Sequence, residues 1–401
     1  MSAIRAVRAR TILDSRAGYT LEVDVLLDDG TLGRAAVPSG ASAGSHEAVK
    51  LSDTTRSVAN VKTVGALLVG HDPAQQEAID RILLDADGTA NKGELGANVL
   101  LALSLASCDA AAQSAKTPLY AHIHALSGGT VAPALPTPMF NVINGGNHAD
   151  NALEFQEFMI VPARDERPFH EKMRLGVALF QELRRVLQAM GHSTAVGDEG
   201  GFAPRLNSNE EAIELLVRSF EESRFRANDD VTIALDVAAS AIPDLAPVIY
   251  PHDVYSYYAK LVDTYPISLI EDPLTEDDWQ GWTKLTAALG SRISIVGDDL
   301  FTTNPARIKQ GIEVKAANGL VVKPDQIGTL TETLQAVRLA RQAGMSIVIS
   351  HRSGETESTL IADLAVGIGA EYIKAGAPAR GERVAKYNQL LRIEELMREQ
   401  A

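Results

Sequence analysis

The sequence predicts an α/β protein with two parts, a small N-terminal α+β domain at residues 1–130 and a catalytic (α/β) barrel at residues 131–401. Three observations support this fold class. The 401-residue length allows two or three domains. Glycine and proline cluster at Gly128–Pro138, which is typical of a linker. Before this segment the chain has a hairpin pattern and two helical patterns, and after it short apolar runs alternate with helical patterns.

The N-terminal part contains strand and helix patterns in close succession. Residues Thr20–Asp28 alternate apolar and polar side chains, and after an Asp-Gly turn signal Thr31–Val37 can return as a second strand. The stretch Pro38–Glu47 is rich in glycine and small residues, which predicts a mobile loop. Helical periodicity follows around Pro73–Leu84 and Ala97–Ala115. These elements fit a small α+β domain.

The second part repeats one pattern, an apolar run that ends in one polar or charged residue. Helical patterns separate the runs, which predicts a parallel sheet, and six or more such units favour closure into a barrel. The residues that end the runs are Asp236, Glu271, Asp298, Lys323, His351 and Lys374. Because active sites of such barrels lie at the C-terminal ends of the strands, we expect these side chains to surround one opening.

Net charge and cysteine content narrow the class of partners. The chain has 37 Lys and Arg against 52 Asp and Glu, a net charge of -15, which disfavours nucleic acid and anionic membranes as partners. No apolar run approaches the roughly 18 residues of a membrane span. The single cysteine, Cys108, excludes an intrachain disulfide and is typical of a reducing compartment. We therefore expect a soluble cytoplasmic protein.

Three carboxylates, Asp236, Glu271 and Asp298, end successive predicted strands. Anions this close repel one another unless a cation neutralises them, and oxygen ligands favour magnesium or manganese. The alternative is that each carboxylate caps the helix that follows its strand. Three acids at consecutive strand ends favour the metal.

Lys323 and Lys374 end two further strands, and we expect them on the far side of the opening from the acids. Burial beside another cation would lower the pKa of each lysine, so that it could act as a base near neutral pH. We favour this role for Lys323. For Lys374, binding of an anionic substrate is an equal alternative, and both lysines could instead only balance the acids.

Three glycine- or hydroxyl-rich turns carry further polar side chains. Asp198-Glu199 precedes two glycines, which let a backbone approach a ligand closely, although such acids are commonly solvated turn residues. Asn144–His148 is a similar turn, in which a histidine is more often structural. Ser350–Ser353 offers Arg352 and two hydroxyls, a reasonable phosphate clamp.

Several long segments, in the right order, resemble enolase, the phosphopyruvate hydratase family. They include A-V-P-S-G-A-S-A-G-S-H-E-A, V-I-N-G-G-N-H-A-D-N, Q-E-F-M-I-V-P, V-G-D-E-G-G-F-A-P, I-E-D-P, D-D-L-F-T-T-N, Q-I-G-T-L-T-E-T, S-H-R-S-G-E-T-E and V-A-K-Y-N-Q-L-L-R-I-E-E. The resemblance implies an N-terminal α+β cap, an atypical enolase-type (α/β)8 barrel, and a homodimer or higher homo-oligomer.

The resemblance also implies a magnesium-dependent reaction on a small phosphorylated anion. Asp236, Glu271 and Asp298 match the ligands of a first Mg²⁺, and Ser42 matches a ligand of a second that arrives with the substrate.

The remaining matches concern catalysis. Lys323 matches the base that takes the C2 proton of 2-phosphoglycerate, and Glu199 matches the acid at the C3 hydroxyl, with Glu157 beside it. Lys374 matches the lysine on the substrate carboxylate. The residues that match positions around the substrate and its phosphate are His148, His351, Arg352 and Ser353.

Some positions near these residues depart from the usual enolase pattern. They are Ala17-Gly18-Tyr19, Ala43, Ala241, Asp325, Ala375 and Gly381. Most changes remove a hydroxyl or a carboxylate, whereas Asp325 adds a negative charge, which we expect near the carboxylate-binding side.

One interpretation of these departures is neutral drift in a working enolase. Another is a paralogue in phosphonate natural-product biosynthesis, similar to carboxyphosphonoenolpyruvate synthase. A non-catalytic enolase-fold scaffold is disfavoured because the base, the acid and the metal ligands are all retained.

Overall fold

The computed structural model describes residues 2–40, 44–242 and 253–400. Two residues singled out above, the proposed metal ligand Ser42 and the departure at Ala43, lie outside these ranges. None of the helices within these ranges is both long enough and apolar enough to cross a lipid bilayer.

The N-terminal part is a three-stranded antiparallel sheet packed against helices. Its elements are β1 (Ile4–Leu13), β2 (Tyr19–Leu27), β3 (Leu32–Ala36), α1 (Thr54–Gly65), α2 (Gln76–Asp87), α3 (Ala97–Ser114) and α4 (Leu119–Leu126). The predicted hairpin and both predicted helices are confirmed within a few residues. Strand β1 is not among the predicted elements, although its apolar residues alternate with arginines. Arg10 contacts Glu22 and Asp24 across the sheet, and these ion pairs accommodate the charges.

The sheet packs directly on α3, which is buried along most of its length. Alternate side chains of β2, such as Val23 and Val25, are fully buried on this face. At Gly33 the backbones of β3 and α3 come so close that a Cβ added to Gly33 would lie 2.6 Å from the Ala110 Cα. This position therefore requires glycine for lack of space.

The second part is a closed eight-stranded barrel with helices around it. Its strands are β4 (Thr137–Asn144), β5 (Glu157–Pro162), β6 (Val231–Asp236), β7 (Ile267–Glu271), β8 (Ser294–Gly297), β9 (Gly319–Val322), β10 (Ser346–Ser350) and β11 (Tyr372–Lys374). Its helices are α5 (Phe169–Ala189), α6 (Asn209–Glu222), α7 (Val254–Thr264), α8 (Trp279–Leu289), α9 (Pro305–Val314), α10 (Pro324–Ile327), α11 (Leu330–Gln342), α12 (Leu360–Gly367) and α13 (Gly381–Gln400). The α/β fold class and the barrel predicted from the sequence are confirmed.

The six strands predicted from the sequence, β6 to β11, pair in parallel as expected, but the barrel also contains one reversed strand. Strand β5 runs antiparallel to both of its neighbours, β4 and β6. The connection at 145–156 contains a short 3-10 turn and no α-helix, so β5 returns beside β4 as in a hairpin. The first residue of β5, Glu157, consequently lies opposite Asp236, the last residue of β6.

The N-terminal part is docked onto the barrel by polar contacts at a helix end. Asp80 of α2 accepts hydrogen bonds from the backbone N–H (2.9 Å) and the hydroxyl (2.6 Å) of Thr331, in the first turn of α11. Ser104 Oγ of α3 accepts one from the Leu330 N–H (3.0 Å). These contacts satisfy backbone donors that a helix N-terminus leaves unpaired.

Replacing Gly33 with alanine tests the contact between β3 and α3. The added methyl group has only backbone atoms to displace, so we expect Gly33→Ala to lower the free energy of unfolding by about 1–3 kcal/mol. The control is Gly381→Ala, since Gly381 begins α13 with open space around it and should change stability by less than about 1 kcal/mol. Urea denaturation measures both variants, and equal stabilities would contradict the packing account.

Candidate active site

A cavity of about 370 Å³ opens at the end of the barrel where the predicted functional residues lie. The sequence-predicted residues that line it are His148, Glu157, Glu199, Asp236, Asp298, Lys323, His351, Arg352, Ser353 and Lys374. Glu271 is almost fully buried and contacts Lys374 at the base of the site. Gly44 and Ser45 also line the cavity. Residues distant in sequence thus converge on one opening, as expected.

The lysines do not lie opposite the acids but among them, which corrects the expected arrangement. Lys374 Nζ lies 2.7 Å from Glu271 Oε2, 3.1 Å from Asp236 Oδ2 and 3.3 Å from Glu157 Oε1. Lys323 forms an ion pair with Asp298. Each ammonium group is therefore paired with one or more carboxylates from other strands at the same end of the barrel.

The expectation of lowered lysine pKa values is wrong for the same reason. Burial alone would lower the pKa of Lys323, but Asp298 outweighs burial and raises that pKa above its usual value. Burial likewise opposes the charge of Lys374, whereas Asp236, Glu157 and Glu271 raise its pKa well above the usual value. The neighbouring carboxylates therefore decide the direction of both pKa shifts. The sequence predicts at which strand end each carboxylate lies, but not which lysine it contacts.

The acids Asp236, Glu271 and Asp298 share the opening but do not form one compact group. Lys374 lies between the first two, and Gln326 Nε2 donates to Asp298 Oδ1 (2.9 Å). Within the described ranges, the groups whose ligand atoms all lie within 4.8 Å of one another are Asp272–Asp298–Asp299, His148–Glu157–Glu199 and His46–Glu276–Asp277. Asp236 Oδ1 accepts from the Ala238 N–H (3.0 Å), but the 3-10 turn that follows at Ala239–Ala241 has no side-chain cap.

The donor set fits a hard divalent cation. The donors at the strand ends are carboxylate oxygens, and Glu157 Oε2 is buried with no hydrogen-bond partner among the described residues. Burial, together with the charge of Asp298, raises the pKa of Asp299 to about 7. Such crowding of acids favours either a bound proton or a bound cation, and all-oxygen donors suit magnesium.

Glu157 and Glu199 are buried neighbours with opposite protonation preferences. Burial, with the charge of Glu199, raises the pKa of Glu157 well above its usual value. Burial acts in the same direction on Glu199, but the facing groups of His351, His148 and Arg383 outweigh it and lower the pKa of Glu199. The surroundings of the pair therefore favour a proton on Glu157 over one on Glu199.

Arg383 determines which nitrogen of His351 carries the proton. The guanidinium can only donate, and its Nη1 lies 2.7 Å from His351 Nδ1. The ring proton is therefore on Nε2, which faces Glu199 Oε2 at 3.4 Å. Burial lowers the pKa of His351 to about 4, so the imidazole is neutral at pH 7.

Several site residues are not found by the reasoning from sequence. They are Glu47, Asp272, Asp299, Gln326 and Arg383. The positions of the first four in the sequence could have identified them. Glu47 ends the glycine-rich loop, Asp272 and Asp299 directly follow strand-end acids, and Gln326 lies three residues after a strand-end lysine. Arg383 lies in α13, beyond the last strand, and no pattern in the sequence marks it.

The departures from the enolase pattern occupy different environments. Ala241 lines the cavity, and Ala375 is fully buried directly after Lys374. Asp325 does not itself line the cavity but lies beside Arg352, which does. Its Oδ2 lies 3.0 Å from both Lys50 Nζ and Arg352 Nη1, so two cations compensate its charge.

Comparison with known proteins agrees with this geometry. Residues 4–123 match the family model described as the enolase N-terminal domain, and residues 132–401 match that of the enolase C-terminal TIM barrel domain. A protein named Enolase from Kineococcus radiotolerans is 50% identical to this chain, over 98% of the chain and 94% of that protein. The chain therefore belongs to the enolase family of carbon–oxygen lyases.

Proposed function

We propose that the protein interconverts 2-phosphoglycerate and phosphoenolpyruvate plus water, with two Mg²⁺ ions per active site, the second entering with the substrate. The observation that carries this proposal is that a lysine, Lys323, and a glutamate pair, Glu157 and Glu199, line one cavity together with strand-end acids. Such a set supplies a base, an acid and a cation site for removing a proton next to a carboxylate.

The proposed metal ligands are Asp236, Glu271 and Asp298 for the first ion, with Ser42 for the second. Bound magnesium would spread the charge of the enolate that forms when the C2 proton leaves. Lys374 already contacts Asp236 and Glu271, so it is placed to hold the substrate carboxylate beside these acids.

Proton movements are assigned to three side chains. Lys323 takes the C2 proton as a neutral amine, so its ammonium must first leave the ion pair with Asp298 and give one proton to solvent. Glu199 assists departure of the C3 hydroxide as an acid, so it must first take one proton, from solvent or from Glu157, because its surroundings favour the charged carboxylate. One proton leaves carbon for lysine while one joins the departing hydroxide as water, so the step balances.

Four further residues are proposed to surround the substrate. Arg352 and Ser353 lie on the turn after β10 and face the cavity, where they would bind the phosphate. His148 and His351 lie beside Glu199, with Nδ1 of His148 at 3.6 Å from Glu199 Oε1. Neutral imidazoles here can hydrogen-bond the leaving hydroxyl or the phosphate without repelling a cation.

We further propose a division of the chain into domains at residues 1–130 and 131–401, a cytoplasmic location and a homodimer or higher homo-oligomer. An apolar pair on the N-terminal sheet supports self-association. Leu13 and Tyr19 lie in register on β1 and β2 and are 62% and 69% exposed.

A second candidate is an enzyme similar to carboxyphosphonoenolpyruvate synthase. The observation that favours it is the small side chains Ala238, Ser240 and Ala241 in the cavity wall after β6. They leave room for a larger phosphorus-bearing group beside the same acids.

Turnover of 2-phosphoglycerate tests the proposed reaction. We expect the ultraviolet absorbance of the enol product to rise with Mg²⁺ present, to stop rising when a chelator removes the metal, and to resume when Mg²⁺ is restored. No turnover with Mg²⁺ would contradict the proposal, and turnover of a phosphonate analogue alone would support the second candidate.

Lys323→Met tests the base while keeping the packing of the methylene groups. We expect kcat to fall by about 10²–10⁴-fold, because no other group replaces the base, and exchange of the C2 proton with deuterium to stop. The control Lys309→Met changes an exposed lysine of α9 and should retain both the original kcat and the exchange of the C2 proton. Continued exchange in Lys323→Met would show that the base is assigned wrongly.

Asp298→Asn tests the proposed metal ligands. The amide keeps the shape but loses the charge, so we expect the affinity for Mg²⁺, measured by calorimetry, to fall by more than about tenfold. Asp85→Asn, on the exposed surface of α2, is the matched control and should leave the affinity unchanged. Equal affinities of the two variants would remove Asp298 from the ligand set.

A further inference from the structure

Four charged side chains, those of Arg352, Asp325, Lys50 and Glu47, form a closed ring beside the cavity, here called the charge ring. Arg352 Nη1 lies 3.0 Å from Asp325 Oδ2, which lies 3.0 Å from Lys50 Nζ. Lys50 Nζ lies 2.9 Å from Glu47 Oε2, and Glu47 Oε1 lies 3.0 Å from Arg352 Nη2. Two cations and two anions thus alternate around the ring.

We propose that Asp325 and Lys50 are positioning residues that, with Glu47, fix the orientation of Arg352 for the phosphate of the substrate. The inference rests on the proposed function, because it specifies how the phosphate end of that site is built. The ring also makes phosphate binding depend on the segment Gly44–Lys50 of the N-terminal part.

Burial makes the ring strong enough to orient a side chain. The side chains of Arg352, Asp325 and Glu47 are only 5%, 3% and 3% exposed, whereas that of Lys50 is 16% exposed. Although burial favours a protonated carboxyl, Arg352 and Lys50 lower the pKa of Glu47 to about 2, so it stays charged. Loss of one partner from a buried ion pair leaves an uncompensated charge and displaces the other.

The ring joins the two parts of the chain at the opening of the barrel. Glu47 and Lys50 come from the N-terminal part, and Asp325 lies in α10, two residues after Lys323. The next residue, Gln326, accepts a hydrogen bond from the Ala48 N–H at its backbone oxygen (2.9 Å). Its side chain donates to Asp298 at 2.9 Å, so the ring connects to the strand-end acids.

The N-terminal segment also covers Arg352 sterically. Gly40 has φ +70°, and a Cβ added there would lie 2.9 Å from Arg352 Nη2. Ser39 N–H donates to the Gly354 oxygen at 3.0 Å, two residues after Arg352. The guanidinium therefore lies between Gly40 and Glu47 of the N-terminal part.

Two effects of removing the Asp325 charge oppose each other. Loss of the contact would let Arg352 turn away and weaken phosphate binding, whereas the extra positive charge would strengthen it. The contact is buried, but the released charge on Lys50 reaches solvent and is screened. Loss of positioning should therefore dominate.

Steady-state kinetics with 2-phosphoglycerate test the proposal on D325N, K50Q and the double variant. We expect each single variant to raise KM about tenfold with kcat within about twofold, because Arg352 binds substrate and transition state alike. The double variant should be no worse than the poorer single variant, since both changes break the same ring. D85N and K309Q are the matched controls on exposed helix surfaces, and both should keep the original KM.

Charge alone would give a different pattern, in which D325N lowers KM, K50Q raises it and the double variant returns to the original value. That pattern, an unchanged KM in D325N, or a loss confined to kcat would overturn the proposal. Circular dichroism verifies folding, and K50Q, at the most exposed position of the ring, carries the test if D325N does not fold.

Amide hydrogen exchange distinguishes an error in the charge-ring proposal from an error in the proposed function. We expect faster exchange of the Ala48 amide in D325N and K50Q, with exchange in the barrel strands unchanged. Absence of turnover in the unmodified protein would refute the proposed reaction, whereas unchanged exchange at Ala48 in both variants would refute the ring.

Discussion

The site depends on one constraint, that charges of both signs be buried together at the end of a barrel. Lys374 is held by Asp236, Glu271 and Glu157, and Lys323 by Asp298. None of these groups could be buried alone, because an isolated charge costs several kcal/mol in the protein interior. Their mutual compensation lets the chain keep two lysines and several acids together in one small volume.

The fold meets this constraint through the direction of its strands. Strands that run parallel end at one rim, and the reversed strand β5 begins there, which adds Glu157 opposite Asp236. Below the rim the barrel is filled by apolar side chains such as Met139, Val296 and Val348, so charge is confined to the opening. The N-terminal part closes the remaining side with the segment that carries Glu47 and Lys50.

The sequence predicts the strand ends well because each apolar run is short and ends in a polar residue. It does not predict that β5 is reversed, since that depends on a connection without a helix, nor the pKa directions of Lys323 and Lys374, which depend on contacts across the barrel. Arg383 is missed because its function is to hold His351 and nearby carbonyl groups, and nothing in α13 marks that contact. The charge of Asp325 is visible in the sequence, but its partner Lys50 is 275 positions away.

The central proposal is that the carboxylates at the strand ends release the lysines and bind the first Mg²⁺, while the second ion enters with the substrate. A crystal structure with Mg²⁺ and phosphoenolpyruvate tests it most directly. The account predicts metal ions on Asp236, Glu271 and Asp298, with Lys323 Nζ moved from Asp298 to the C2 atom of the ligand. Metal bound elsewhere, with Lys323 still paired to Asp298 in the ligand complex, would contradict it.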